Sequence, residues 1–167
     1  VIVKGGPGTG KSVVAVNLLA ELTKEDQFCQ YVSKNSAPRN VYRKKLKGNI
    51  RKSSVDNMFK GSGIYTETDN NMVDTILVDE AHRLNEKSGM FHNMGENQIK
   101  EIIHAAKCSV FFIDERQRVT LQDIGSVEEI RKWAKKEKAR ITEIPVRISR
   151  LTRFSRSTRD WRILNLG

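Results

Sequence analysis

The eight residues GGPGTGKS, Gly5 to Ser12, constrain this chain more than any other stretch because they dictate what must stand on either side of them. The pattern G-x-x-x-x-G-K-[ST] is a phosphate-cradling loop, and it works between a buried strand and the first turn of a helix. Glycines allow a tight turn and leave no Cβ between the backbone amides and an anion. Gly5, Gly6, Pro7, Gly8, Thr9, Gly10, Lys11 and Ser12 are therefore expected to wrap a triphosphate, with N–H groups and the helix dipole facing the negative charge. Lys11 would reach the β- and γ-phosphates, and the Ser12 hydroxyl would join the shell of a Mg²⁺ ion. Such a loop commits the chain to an α/β fold.

The rest of the sequence supplies the alternation that this fold needs. Val1 to Lys4 reads as a strand and Lys11 to Leu22 as a helix with Val14, Leu18, Leu19 and Leu22 on one face. Cys29 to Ser33 is the expected second strand. Ser36 is placed to cap a helix with Pro38 in its first turn and Gly48 beyond its end. Residues 61–72 read as loop with room for a short strand, Val73 to Asp79 as a strand, and 86–97 as a surface loop. A helix is predicted over Asn97 to Lys107, with Ile99, Ile102, Ile103 and Ala106 on one face, followed by a strand over Ser109 to Asp114. Ser126 and Glu129 make a capping box opening a helix that buries Val127, Ile130 and Ala134 or Trp133. A last strand falls within Ile141 to Leu151. No repeat or low-complexity linker divides the chain, so residues 1–167 read as one parallel α/β domain. It opens inside its first strand without an initiator methionine, as a piece of a longer protein would.

Charge is informative through its placement. The net charge is +10, yet residues 39–60 alone carry eight basic groups against one acid, and residues 140–167 carry seven arginines against two acids. Two basic stretches on a nearly neutral body form a footprint suited to a polyanion, or two solvated faces. No apolar run approaches the eighteen residues of a membrane span, and no signal peptide precedes the first strand. Cys29 and Cys108 are too few and too isolated for a disulfide framework or a zinc site, which fits a reducing cytoplasmic setting. His92 and His104 have no metal-ligand partners at suitable spacing. Trp133 and Phe111 suit a core better than a base-stacking role, and Tyr31, Tyr42 and Tyr65 are too scattered to form a stacking platform.

Hydrolysis needs a metal anchor and a group to orient water, beyond the phosphate loop itself. Val73 to Asp79 runs into Asp79-Glu80-Ala81-His82, and a buried parallel strand delivers its last side chains to the edge where ligands of open α/β sheets bind. Asp79 is the expected Mg²⁺ carboxylate and Glu80 the residue that polarises the attacking water. The strand ending in Ile113-Asp114-Glu115 closes the same way, so Asp114 is the alternative metal carboxylate. Gln117 is read as a sensor able to hydrogen-bond a γ-phosphate or its water.

Taken together, GGPGTGKSVVAVNLL, YVSKNSAPRNVY, ILVDEAHRLNEKSG, NQIKEII and FFIDERQRVTLQDIGSVEEI resemble the Schlafen group-three-like DNA/RNA helicase domain family, which is similar to superfamily one helicases. The resemblance runs in order over roughly residues 1 to 135. It implies a three-layer, RecA-like P-loop NTPase lobe with a mainly parallel sheet, acting on ATP with Mg²⁺ and on single-stranded DNA or RNA. It implies motif I at Gly10, Lys11 and Ser12, motif II at Asp79 and Glu80, and motif III at Gln117. Asn35, Ser36 and Arg39 fall at the element that lies along the nucleic acid, with Arg43 close by in the basic stretch. A stepping motor needs a second RecA-like lobe, which this chain does not contain. The family's glutamine-phenylalanine-arginine element is not matched: the corresponding region reads LTRFSRSTRDWRIL, with arginine at every third position from 147 to 162, and no catalytic arginine is assigned there. Two other classes share the loop and the carboxylates: an ATPase switch acting on protein partners, and a nucleotide-binding scaffold with little turnover.

Overall fold

The computed structural model describes residues 1–33, 57–89, 94–114, 116–117 and 123–146. Six strands form one sheet: β1 (Ile2–Lys4), β2 (Cys29–Val32), β3 (Phe59–Lys60), β4 (Val73–Val78), β5 (Ala106–Ile113) and β6 (Glu143–Pro145). Their order across the sheet is β3-β2-β4-β5-β1-β6, and every neighbouring pair is parallel. Among the described residues three α-helices cover it: α1 (Lys11–Lys24), α2 (Gln98–Ala105) and α3 (Val127–Lys136).

Strand periodicity divides the core into two layers. Val3, Tyr31, Leu77, Val110 and Phe112 face α1, where they meet Ala15, Leu18 and Leu19. Ile2, Val32, Ile76, Val78, Phe111 and Ile113 face the other way, against Ile99, Ile102 and Ala105 of α2 and Val127, Ile130 and Trp133 of α3. Burial of both faces is what a parallel sheet requires, and it explains why its strands read as apolar runs. The result is a three-layer α/β sandwich, as expected from the alternation of strands and helices.

Several boundaries differ from the sequence reading, each for a local reason. Helix α2 stops at Ala105 and not at Lys107, because Ala106 has extended backbone and already pairs with Val73; β5 therefore starts three residues before Ser109. The short strand expected within 61–72 lies just upstream, at Phe59–Lys60, where Phe59 pairs with Tyr31. Ser126 does cap α3, accepting from Glu129 N–H at 3.1 Å, but the Glu129 carboxylate takes Lys132 at 2.7 Å. Both Ala134 and Trp133 are buried on that helix. Within the loop expected at the surface, Ser88 and Asn97 are buried, the latter as the side-chain cap of α2. The helix expected after Ser36, the residues Asn35, Arg39 and Arg43, and nearly all of both basic stretches lie outside the described residues.

Candidate functional site

The sheet order and the helix placement fix one crevice before any side chain is considered. Helix α1 follows β1 on one face of the sheet, and α3 follows β5 on the other, although β1 and β5 are neighbours. Adjacent parallel strands whose connections leave in opposite directions open a crevice at their carboxyl ends. In register, Lys4 pairs with Ile113, so the loop beginning at Gly5 and the carboxylate of Asp114 flank that crevice.

The loop is built to present backbone donors. Gly8 and Gly10 have φ of +70° and +81°, the left-handed region that residues with a Cβ rarely occupy. Helix α1 begins on Gly10 with no side-chain cap and no acid in its first turn. Helices α2 and α3 differ: Asn97 and Ser126 cap them, and acids occupy their first turns. Among the described α-helices, the positive end of α1 is thus the one not countered by its own side chains, as an anion-binding helix start should be. Thr9 Oγ1 donates to Gly6 O at 2.9 Å, tying the loop to itself. Lys11 Nζ lies back over the loop and donates to Gly5 O and Gly6 O, both at 2.7 Å. Burial pushes the Lys11 pKa down, opposed first by Asp114 and then by Asp79. Both carboxylates therefore act on this ammonium.

Two strand ends supply those carboxylates on the α1 face. Asp79 continues the Thr75, Leu77 alternation of β4, and Asp114 that of Val110 and Phe112 in β5. Strand β5 intervenes between β4 and β1, so Asp79 reaches the loop from one strand further away than Asp114. Asp79 is 4% exposed and held at both oxygens, with Oδ2 accepting from Tyr31 Oη at 2.5 Å and Oδ1 from Glu80 N–H at 3.0 Å. Asp114 is 2% exposed; Oδ1 accepts from Arg116 N–H at 3.0 Å, while Oδ2 is buried without a hydrogen-bond partner among the described residues. An unmatched buried acceptor beside a phosphate-type loop is the kind of group that an added cation or water satisfies.

Glu80 has φ 52° and ψ 44°, a left-handed conformation unusual for a residue with a side chain and one that recurs at functional sites. Its half-buried carboxylate lies 3.7 Å from Arg83 Nη1. What holds the turn is packing from outside. A Cβ on Gly125 would stand 1.9 Å from Ala81 O and 2.6 Å from His82 Cα, and Ile124 N–H donates to Leu84 O at 2.8 Å. His82 is buried beneath this contact, and desolvation lowers its pKa. Gln117 is exposed, its N–H donating to Asp114 O at 3.2 Å, so it sits on the turn that follows β5.

The residues present fit a Mg²⁺–nucleoside triphosphate. Magnesium is seldom caged by protein alone and takes one or two carboxylates with phosphate oxygens and water. No cluster of three or more His, Cys, Asp or Glu side chains arranged for a metal occurs among the described residues. Sequence reasoning singled out the loop, Asp79, Glu80 and Asp114, and did not anticipate the contacts of Tyr31 and Gly125 with that region. Both act through contacts 44 to 48 positions away in the chain, for which no local pattern exists.

Fold and loop together define a three-layer α/β protein of the P-loop type. The family model described as "Schlafen group 3, DNA/RNA helicase domain" matches residues 1–165, and the chain belongs to that family. It is also 30% identical to an uncharacterized protein of Saccharomyces cerevisiae, over 72% of this chain and 30% of the relative. The chain thus spans about 30% of the length of the curated relative it matches. Among the described residues, no helix is long and apolar enough to cross a membrane.

Proposed function

We propose that this chain is an ATP-binding and hydrolysing motor lobe of a DNA/RNA helicase or translocase. The observation that carries the reading is the convergence of an uncapped helix start, the Lys11 ammonium and two strand-end carboxylates on one face of one sheet edge. Gly5 to Lys11 bind the triphosphate through backbone N–H groups and the ammonium. Ser12 and Asp79 would hold a Mg²⁺ ion, directly or through water, and the ion would supply charge neutralisation at the phosphate oxygens. Glu80 orients a water and accepts its proton, and Gln117 responds to the γ-phosphate from the turn after β5. Asn35, Ser36, Arg39 and Arg43 contact the nucleic-acid backbone. That last assignment is supported by the family description and by the charge of residues 39–60.

ATPase measurements on the protein that carries this chain, with and without single-stranded DNA or RNA, test the reading. Polymer-stimulated turnover is expected. Polymer-independent turnover would instead favour a protein-directed switch, and nucleotide binding without turnover a scaffold. Lys11→Ala should abolish nucleotide binding or turnover, and Glu80→Gln should retain binding while losing about 10²- to 10⁴-fold in turnover, the usual contribution of a positioned acid or base. Normal turnover in Glu80→Gln would remove Glu80 from that role.

A further inference from the structure

Tyr31 sits wholly buried on β2, one strand in from the β3 edge of the sheet, yet its hydroxyl ends at the candidate site. The ring packs at 56° against Phe59 of β3, with centroids 5.6 Å apart, inside the cluster that includes Leu77 and Phe112. A buried phenol needs a hydrogen-bond partner. The Tyr31 hydroxyl donates to the carboxylate of Asp79, at 2.5 Å. Glu80 N–H takes the other carboxylate oxygen, so the plane of the Asp79 carboxylate is fixed from two directions. Each oxygen still has lone-pair capacity for a second donor or a cation.

Asp114, in the same environment, is held at one oxygen only among the described residues, by a backbone N–H from its own turn. The difference between the two carboxylates is thus a side chain delivered from a third strand. We propose that Tyr31 is a positioning residue for the metal: by donating to Asp79 Oδ2 it holds that carboxylate in the orientation from which it binds Mg²⁺ or a Mg²⁺-bound water. This rests on the nucleotide reading above and adds to it a residue outside the phosphate loop and the two strand ends. A group that orients a metal-binding side chain typically changes metal affinity or activity when removed, because the carboxylate must then be ordered at the moment of binding.

The test is a double-mutant cycle with Tyr31→Phe and Asp79→Asn, read by binding of a fluorescent ATP analogue in EDTA, by the Mg²⁺ concentration that half-restores tight binding, and by melting of the nucleotide-free protein. Tyr31→Phe should leave affinity in EDTA unchanged and raise the half-saturating Mg²⁺ concentration by about 10- to 100-fold. In the Asp79→Asn background the same change should shift nothing further, since its route of action is gone. That background also removes the buried charge that Tyr31→Phe would leave without its side-chain donor. A lowered melting temperature with unchanged Mg²⁺ dependence would overturn the assignment and leave Tyr31 a core residue. An equal Mg²⁺ shift in both backgrounds would overturn it too. A parent protein that binds no nucleotide, or binds it without regard to Mg²⁺, would overturn the nucleotide reading itself and this assignment with it.

Discussion

Two strands of the sheet end in almost the same letters, Leu77-Val78-Asp79-Glu80 and Phe112-Ile113-Asp114-Glu115, yet their aspartates stand in different circumstances. Asp79 is closed: a phenol from β2 and the next backbone N–H occupy its two oxygens, and the turn beyond it is pressed from outside by Gly125. Asp114 is open, with a buried Oδ2 unmatched among the described residues and a position beside β1, next to the phosphate-type loop. A carboxylate fixed by neighbours is suited to orient a metal or its water. One with spare acceptor capacity, whose charge acts on the Lys11 ammonium, is suited to take a further partner. Closely similar local sequence acquires two different settings because the neighbours differ.

The comparison breaks most visibly if the aspartates are exchanged in importance. Asp79→Asn should cost Mg²⁺-dependent ATP turnover at least about 10²-fold, since metal-assisted charge stabilisation is worth several kcal/mol. Asp114→Asn should cost less, and it should make the Lys11 ammonium easier to deprotonate, because the carboxylate that most strongly opposes its desolvation is gone. Steady-state kinetics over a Mg²⁺ series check this; a larger loss for Asp114→Asn would make β5 the source of the metal carboxylate.

A smaller effect tests the outer support of the closed site. Gly125→Ala would set a methyl 1.9 Å from Ala81 O, and the backbone shift needed should destabilise the protein by about 1–3 kcal/mol, measured by denaturant unfolding. Because the displaced backbone directly follows Glu80, turnover should fall with nucleotide affinity retained.

The smallest effect lies away from both aspartates and serves as their control. Glu143 of β6 accepts from Arg131 of α3 and from Lys4, the last residue of β1, and these partners hold its pKa down to about 2. A carboxylate with a depressed folded-state pKa adds stability above its unfolded-state value and loses that increment as pH falls through the folded-state value. Glu143→Gln should therefore cost no more than about 1 kcal/mol near neutral pH, as exposed pairs do. The deficit should shrink as pH drops from the ordinary glutamate range toward 2, in unfolding curves collected across that range.

Much of this molecule was legible in its sequence because the signals are short-ranged. Apolar runs of strand length, glycine punctuation and Ser126 at a helix start act within a few residues, and the phosphate-type loop carries its backbone requirement in eight consecutive letters. The end of α2 was misplaced because Ala105-Ala106-Lys107 has no helix-stopping residue; pairing of Ala106 with Val73 decides the boundary. The order of the strands, and with it which aspartate stands next to the loop, is a property of the sheet and of no segment within it. The same holds for the Tyr31–Asp79 hydrogen bond and the Gly125 contact. They join residues far apart in the chain through geometry that exists only once β2, β4 and the 123–125 segment have packed. Sequence alone picked out the phosphate-type loop and the strand-end carboxylates, because each is carried on a local motif; tertiary structure decided which of those carboxylates is held and which is left open, because holding a group takes a neighbour.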